Sequence, residues 1–216
     1  MSHSKVFAFS RPVGSSRKRV STRANARDTL EGVGFGRGVE ADIITGGQFS
    51  LIDLIEAVLD VTGPARVDLA TWTAAEFDLT QVAQQITSGR IEQLRLVVDR
   101  SFVSRAPAFV QAVASRFGAE NIRTTRTHAK FAVVSNADWD VVIRTSMNLN
   151  HNARTEWAQV ADDGDLAGFY RAYVDEVFST TEPGLGNRRS VNDLVGLSPI
   201  EPSVPVAVGL PVAVGP

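Results

Sequence analysis

From residue 39 onward the apolar positions fall into two alternating rhythms. Val39–Thr45 reads as a strand, and Gly46-Gly47 as a turn. Apolar residues then recur at 51, 52, 54, 55, 58 and 59, the spacing of one helical face, until Gly63-Pro64 stops the run. Arg66–Trp72 alternates as a strand, Leu79–Ile86 follows as a helix, and Leu94–Asp99 is a β-type run. Pro107–Phe117 reads as a helix with Pro near its start and Gly118 past its end. Three strand-like segments come next, Thr127–Val134, Val141–Ser146 and Trp157–Ala161, and Asp165–Phe178 closes as an amphipathic helix. Helices interleaved with short apolar strands predict an α/β fold, a mixed β-sheet with helices on both faces.

The flanks lack this periodicity. Residues 1–38, rich in Ser, Arg and Gly, are expected to be a flexible leader, residues 39–181 the folded domain, and residues 182–216 an extended Pro/Val/Gly tail, open to a protein partner. The glycines at 32, 34, 36 and 38 make no phosphate loop, because no lysine follows and no helix opens after them.

Composition narrows the class. The chain has 216 residues, 44% hydrophobic and 21% charged, which describes a globular protein. It has no cysteine, so disulfides and thiolate metal sites are excluded. No apolar run is long enough for a transmembrane helix, and no h-region follows the basic N-terminus, so a cytoplasmic setting is expected. The net charge of −2 hides an asymmetry: residues 1–27 hold seven basic side chains and no acidic one. Such a leader can contact the phosphates of nucleic acid or be a solvated tail.

The chemistry lies in "RTHAKFAVVSN". Only three lysines and three histidines occur, and His128 and Lys130 stand two residues apart. At strand spacing they share a face. If the following strand is adjacent and antiparallel, Ser146 and Asn148 of "RTSMNLN" approach the same spot, and Glu156 opens the strand after it. An imidazole, an ammonium, a hydroxyl, a carboxamide and a carboxylate suit a phosphoryl group. Lys130 and Asn148 would donate to its oxygens, His128 would attack, and Glu156 would accept from the other ring nitrogen.

This set resembles the signature of the phospholipase D superfamily: His128-Ala129-Lys130, then Thr145-Ser146-Met147-Asn148, then Glu156. The phrases "GGQFSLIDLIEAVLDVTGPA", "TWTAAEFD", "VVDRSF" and "TSMNLNHNARTE" resemble phage- and prophage-borne members of it. The resemblance implies a phospholipase D-like sheet and a metal-independent phosphodiesterase without cofactor, working through a phosphohistidine, with nucleic acid as substrate. It implies catalytic roles for His128, Lys130, Asn148 and Glu156, and phosphate contacts from Lys130, Ser146, Asn148 and Arg154. Two histidines must meet at one phosphorus in that mechanism, and this chain carries one motif, so a homodimer with its axis near His128 is expected. Two positions depart from the signature: Ser135 stands where the family has Asp, with Asp138 out of register, and Thr145 where it has Gly. A binding-only protein, on nucleic acid or in a phage-related assembly, is the alternative. A phospholipid hydrolase would want an apolar entry face, and the sequence displays none.

Other residues carry simpler expectations. Arg123 and Arg126 line a basic groove or face water, Trp72 on a strand belongs to the core rather than forming a base-stacking platform, and Asp99-Arg100 forms a loop ion pair. His151, Asn150 and Asn152 are polar loop residues at the rim, and Gln48, Phe49 and Ser50 form an ordinary helix cap or offer amides to phosphate.

Overall fold

A computed structural model describes residues 7–12, 25–102 and 114–185. Eight strands build one sheet: β1 (Phe7–Pro12), β2 (Val39–Thr45), β3 (Ala65–Thr71), β4 (Ile91–Asp99), β5 (Ile122–Thr125), β6 (Phe131–Ser135), β7 (Asp140–Thr145) and β8 (Glu156–Asp162). Their order is β1-β2-β8-β7-β6-β3-β4-β5. The β3–β4–β5 pairs are parallel and all others antiparallel. Among the described residues, four complete helices flank it: α1 (Ala26–Val33), α2 (Leu51–Thr62), α3 (Glu76–Thr87) and α4 (Gly164–Thr180).

Strand alternation divides the core into two layers. Val67, Leu69, Ala132, Val134, Val141 and Ile143 point to one face and pack with Leu30 of α1, the apolar side of α2, and Leu79 and Val82 of α3. Ala70, Val97, Phe131, Val133 and Val142 point to the other face, under Ala167, Val174 and Val177 of α4. Helix α2 is apolar almost all round because it lies between the sheet and other helices. Among the described residues no helix is long and apolar enough to cross a membrane.

The structure corrects the boundaries at several points. The expected leader contains β1, paired along β2, and α1, whose N-terminus is capped by Asn25 accepting the Asp28 N–H at 2.8 Å. Gly34 closes α1 in the left-handed conformation at φ +66°. Strand β5 was not expected; its four residues include only one aliphatic side chain, Ile122. The strand after it begins at Phe131, so His128 and Lys130 lie in the segment leading into β6. Pairing still reaches them, since the Thr145 N–H donates to the Lys130 carbonyl at 3.2 Å. The basic cluster at 17–19 and the tail from 186 lie outside the described residues, as does most of the Pro107–Phe117 helix; beyond α4, Gly184 donates its N–H to the Ile122 carbonyl and Leu185 is buried.

Arg123 does not line a groove. It is buried, its Nη1 donates to the Glu120 and Ile122 carbonyls at 2.8 Å, and its guanidinium lies 4.3 Å from the centre of the Phe178 ring. Burial lowers its affinity for the proton. Nearby, the buried Asp68 accepts two hydrogen bonds from Arg95 at 2.6 and 2.7 Å and two longer ones from Arg66 at 3.2 and 3.4 Å.

Candidate active site

The candidate residues gather at one end of the sheet, where β2, β3 and β7 finish and β6 and β8 begin. Antiparallel pairing of β6 with β7, and of β7 with β8, puts Lys130 beside Thr145 and brings Ser146 to Glu156.

His128 and Lys130 are in direct contact. The Lys130 ammonium is 3.1 Å from His128 Nδ1 and donates to the His128 carbonyl at 2.8 Å. Burial pushes the Lys130 amine below the ordinary lysine range, and the Glu156 charge offsets part of that effect. Glu156 is therefore close enough to be felt electrostatically. Its carboxylate accepts a short hydrogen bond from the Ser146 hydroxyl and another from Asn152 Nδ2 at 3.3 Å. It makes no hydrogen bond to His128 within the chain, contrary to expectation, because Ser146 and Asn152 hold it on the β8 side.

Asn148 lies near Thr71 at the end of β3. The Thr71 hydroxyl donates to the Thr73 carbonyl at 2.7 Å, stands 3.4 Å from Asn148 Oδ1 and accepts the Leu149 N–H at 3.3 Å. The Asn148 amide nitrogen donates to no group among the described residues, so it is available to an anion. Ser146 and Asn148 thus serve different neighbours, Glu156 and the end of β3. Arg154 is exposed and holds no ion pair among the described residues.

Both departures from the signature have local explanations. Thr145 closes its turn without left-handed backbone, which no described non-glycine residue adopts. Its hydroxyl donates to the Trp157 carbonyl at 2.6 Å and accepts the Met147 N–H at 2.9 Å. Ser135 sits at the far end of β6, roughly 16 Å along the strand from Lys130 at ~3.3 Å per residue. There it faces Asp140 rather than Asp138, and Arg171 of α4 donates to both, at 2.8 and 2.5 Å.

Several supporting residues escaped sequence reasoning. Asp99 was expected to pair with Arg100. Instead its carboxylate accepts the Ser101 N–H at 2.9 Å and the Thr127 N–H at 3.0 Å, anchoring the chain one residue before His128. The Thr127 side chain accepts the Ala129 N–H at 3.1 Å and is hydrogen-bonded to Tyr173 of α4, whose phenol burial pushes up. Trp72 is half-buried instead of core, and its ring centre lies 5.2 Å from that of His128. Asn152, expected as a rim residue, holds Glu156. Only the run Asp99-Arg100-Ser101 after a strand offered a signal for any of these, since an Asp side chain readily accepts the N–H two residues on in an Asx-turn.

The loop after β2 completes the rim. Gly47 has φ +87°, and a Cβ there would fall 2.2 Å from the Asn152 carbonyl, so only glycine fits between the two loops. The amides of Gly46, Gly47 and Gln48 are already bonded to the Gln48 and Thr45 side chains, and the Ser50 N–H to Asp53 at 2.7 Å. This is an ordinary cap and turn, not a phosphate cradle.

No protein-family model and no curated protein matches the chain. Among solved structures it is similar to Nuc from Salmonella typhimurium, described as a phospholipase D family member, with 16% identity over 56% of this chain and 80% of that one and a TM-score of 0.39. It is similar to NucT from Helicobacter pylori, with 13% identity over 67% of this chain and 99% of that one and a TM-score of 0.45. A third likeness is polyphosphate kinase from Porphyromonas gingivalis, with 14% identity over 62% of this chain and 25% of that one and a TM-score of 0.44. Scores at this level carry no inference about function, and the chemistry has to come from the residues themselves.

Proposed function

We propose that this chain is a metal-independent phosphodiesterase of the phospholipase D type, acting on nucleic acid at a site shared across a homodimer. The observation that carries the proposal is the His128–Lys130 contact at the sheet end that also presents Asn148, Ser146 and Glu156. A phosphodiester would sit with its non-bridging oxygens toward the Lys130 ammonium and the Asn148 amide, which stabilise the charge that develops in the transition state. A ring nitrogen of His128 attacks phosphorus and forms a P–N bond, and the bond to the leaving oxygen breaks. The histidine of the second copy gives its proton to that oxygen, then takes one from a water that attacks the phosphohistidine and frees the ring. Glu156, held by Ser146 and Asn152 away from its own chain's histidine, is then free to serve the shared site.

An exposed apolar pair supports a second copy. Ile44 and Trp157 are register partners on β2 and β8, and both are 48% exposed. Trp157 follows Glu156 directly, and its N–H donates to Ser146 Oγ at 3.0 Å, so a subunit covering this pair lies beside the site. The basic leader would add phosphate contacts along a nucleic-acid strand.

Plasmid nicking in EDTA is the test. Wild type should convert supercoiled to open-circular DNA with chelator present, and His128→Ala should not. Light scattering should give the mass of two 23.3 kDa chains. A dimer with no cleavage but salt-dependent DNA retention would establish the binding-only alternative. Activity lost in EDTA and restored by a divalent ion would overturn the metal-free mechanism.

A further inference from the structure

We infer that Trp72 is the positioning residue for the His128 imidazole. The inference rests on the reading of His128 as the nucleophile and adds a residue to that site. His128 is exposed, and an exposed imidazole on a segment outside regular strand structure has free choice of rotamer. Two groups limit that choice here. Lys130 stands against the ring nitrogens from one direction. The Trp72 indole meets the ring itself, with centroids 5.2 Å apart and planes tilted by 51°. That separation lies in the favourable range for ring pairs.

The indole is itself well placed to impose an orientation. It follows Thr71, the last residue of β3, whose hydroxyl is tied to the Thr73 carbonyl and to the Leu149 N–H. Two residues on, Ala74 bridges to Leu149 and Ala75 donates its N–H to the Leu149 carbonyl at 2.6 Å. The β3–α3 connection is therefore bonded to the loop that carries Asn148. Trp72 links the two halves of the site: the anchor that holds Asn148 also holds the ring that stops His128 from turning away. Loss of the indole leaves the histidine chemically intact but unoriented. A misplaced reacting group typically lowers turnover by about 10²-fold. Substrate affinity depends on Lys130 and Asn148 and should change little.

The test joins a spectroscopic readout to kinetics. Only three histidines occur, so the His128 ring Cε1 proton can be assigned by comparison with His128→Asn. In wild type it should carry a ring-current shift and an NOE to the Trp72 indole; the shift should vanish in Trp72→Ala and persist in Trp72→Phe. With a nitrophenyl phosphodiester, Trp72→Ala should lower kcat by about 10²-fold at nearly constant KM, and Trp72→Phe should recover most of it. No NOE in wild type, a ring-current shift of the His128 signal that persists in Trp72→Ala, or an unchanged kcat in that variant overturns the inference. Should wild type turn over nothing, the phosphodiesterase reading falls, and inorganic phosphate then decides the role of Trp72. Phosphate should shift the His128 signal in wild type and Trp72→Phe and not in Trp72→Ala; equal shifts in all three overturn it. If both variants fail to fold, the wild-type NOE alone decides.

Discussion

The two ends of the β6–β7 pair differ in how completely their polar groups are matched. At the Ser135 end, Arg171 ties Ser135 and Asp140 to α4. Asn136 donates to the Thr62 and Pro64 carbonyls and accepts the N–H groups of Asp138 and Trp139. At the Lys130 end, an ammonium stands against an imidazole, burial lowers the amine's hold on its proton, and the Asn148 amide nitrogen has no acceptor among the described residues. The first end resembles a fastening, with its donors and acceptors inside the protein. The second leaves donors facing outward, where they can meet an anion or water. Ser135, which stands where the resembled signature has Asp, falls at the fastened end, about 16 Å along the strand from Lys130.

The largest effect expected from breaking this contrast is at Lys130. Lys130→Arg keeps the charge but replaces a compact ammonium with a planar fork, and cleavage should fall by about 10²–10³-fold in a plasmid assay. The pH profile carries a second signature. Because the amine's pKa is lowered, Lys130 loses its charge at a lower pH than an ordinary lysine, and kcat should fall along that alkaline limb. Any residual activity of Lys130→Arg should lack the limb.

Next comes Asp99. In Asp99→Asn one face of the amide still accepts from Ser101, but the other presents N–H toward the Thr127 N–H. Denaturant titration should show a loss of about 1–3 kcal/mol from the unpaired buried groups, and turnover should drop roughly tenfold as the chain ahead of His128 loosens. A full loss of stability with unchanged kcat would show that Thr127 needs no anchor.

The far end should respond in stability only. Arg171→Ala breaks an ion pair whose partners are each about a third exposed, so melting should shift by about 1 kcal/mol or less, with kcat unchanged. Smallest of all is Ser135→Asp. It adds a second carboxylate beside Arg171 and should stay within about 0.5 kcal/mol of wild type, again with kcat unchanged. A clear rate increase in Ser135→Asp would mean that the two ends are coupled.

Periodicity was most informative where elements bury one face. Strand β2 matches its expected bounds, and α2, β3, β7 and α4 lie within a few residues of theirs. It was least informative where burial comes from elsewhere. Strand β5 is short and polar in composition, yet buried between β4 and the segment after α4. Helix α1 sits inside a Gly- and Arg-rich stretch, and only Leu30 and Val33 mark its face. For the candidate site, the residue types that would touch phosphate were visible as a motif. Their supports were not, because Asp99, Trp72 and Thr71 reach the motif across strands that are distant in sequence. A lone aromatic at a strand end looks like core until its neighbour is known. Arg123 misled for the converse reason, since an arginine beside a motif suggests a ligand, and here its guanidinium stacks on Phe178.

Strand β8, the last in sequence among the described strands, is the keystone of the sheet. Strand β8 lies between β2 and β7 and bonds to both, so before it arrives β1–β2 and the remaining strands form two separate pieces. A chain emerging N-terminus first holds two unfinished edges open until residue 162 is available, and such edges invite pairing with other chains. Pairings of this range in sequence form slowly. Glu156 opens that same strand, so candidate site and sheet are completed in one event. A chain that stops before β8 would carry His128 and Lys130 without the carboxylate beside them, and with β2 and β7 left as open edges.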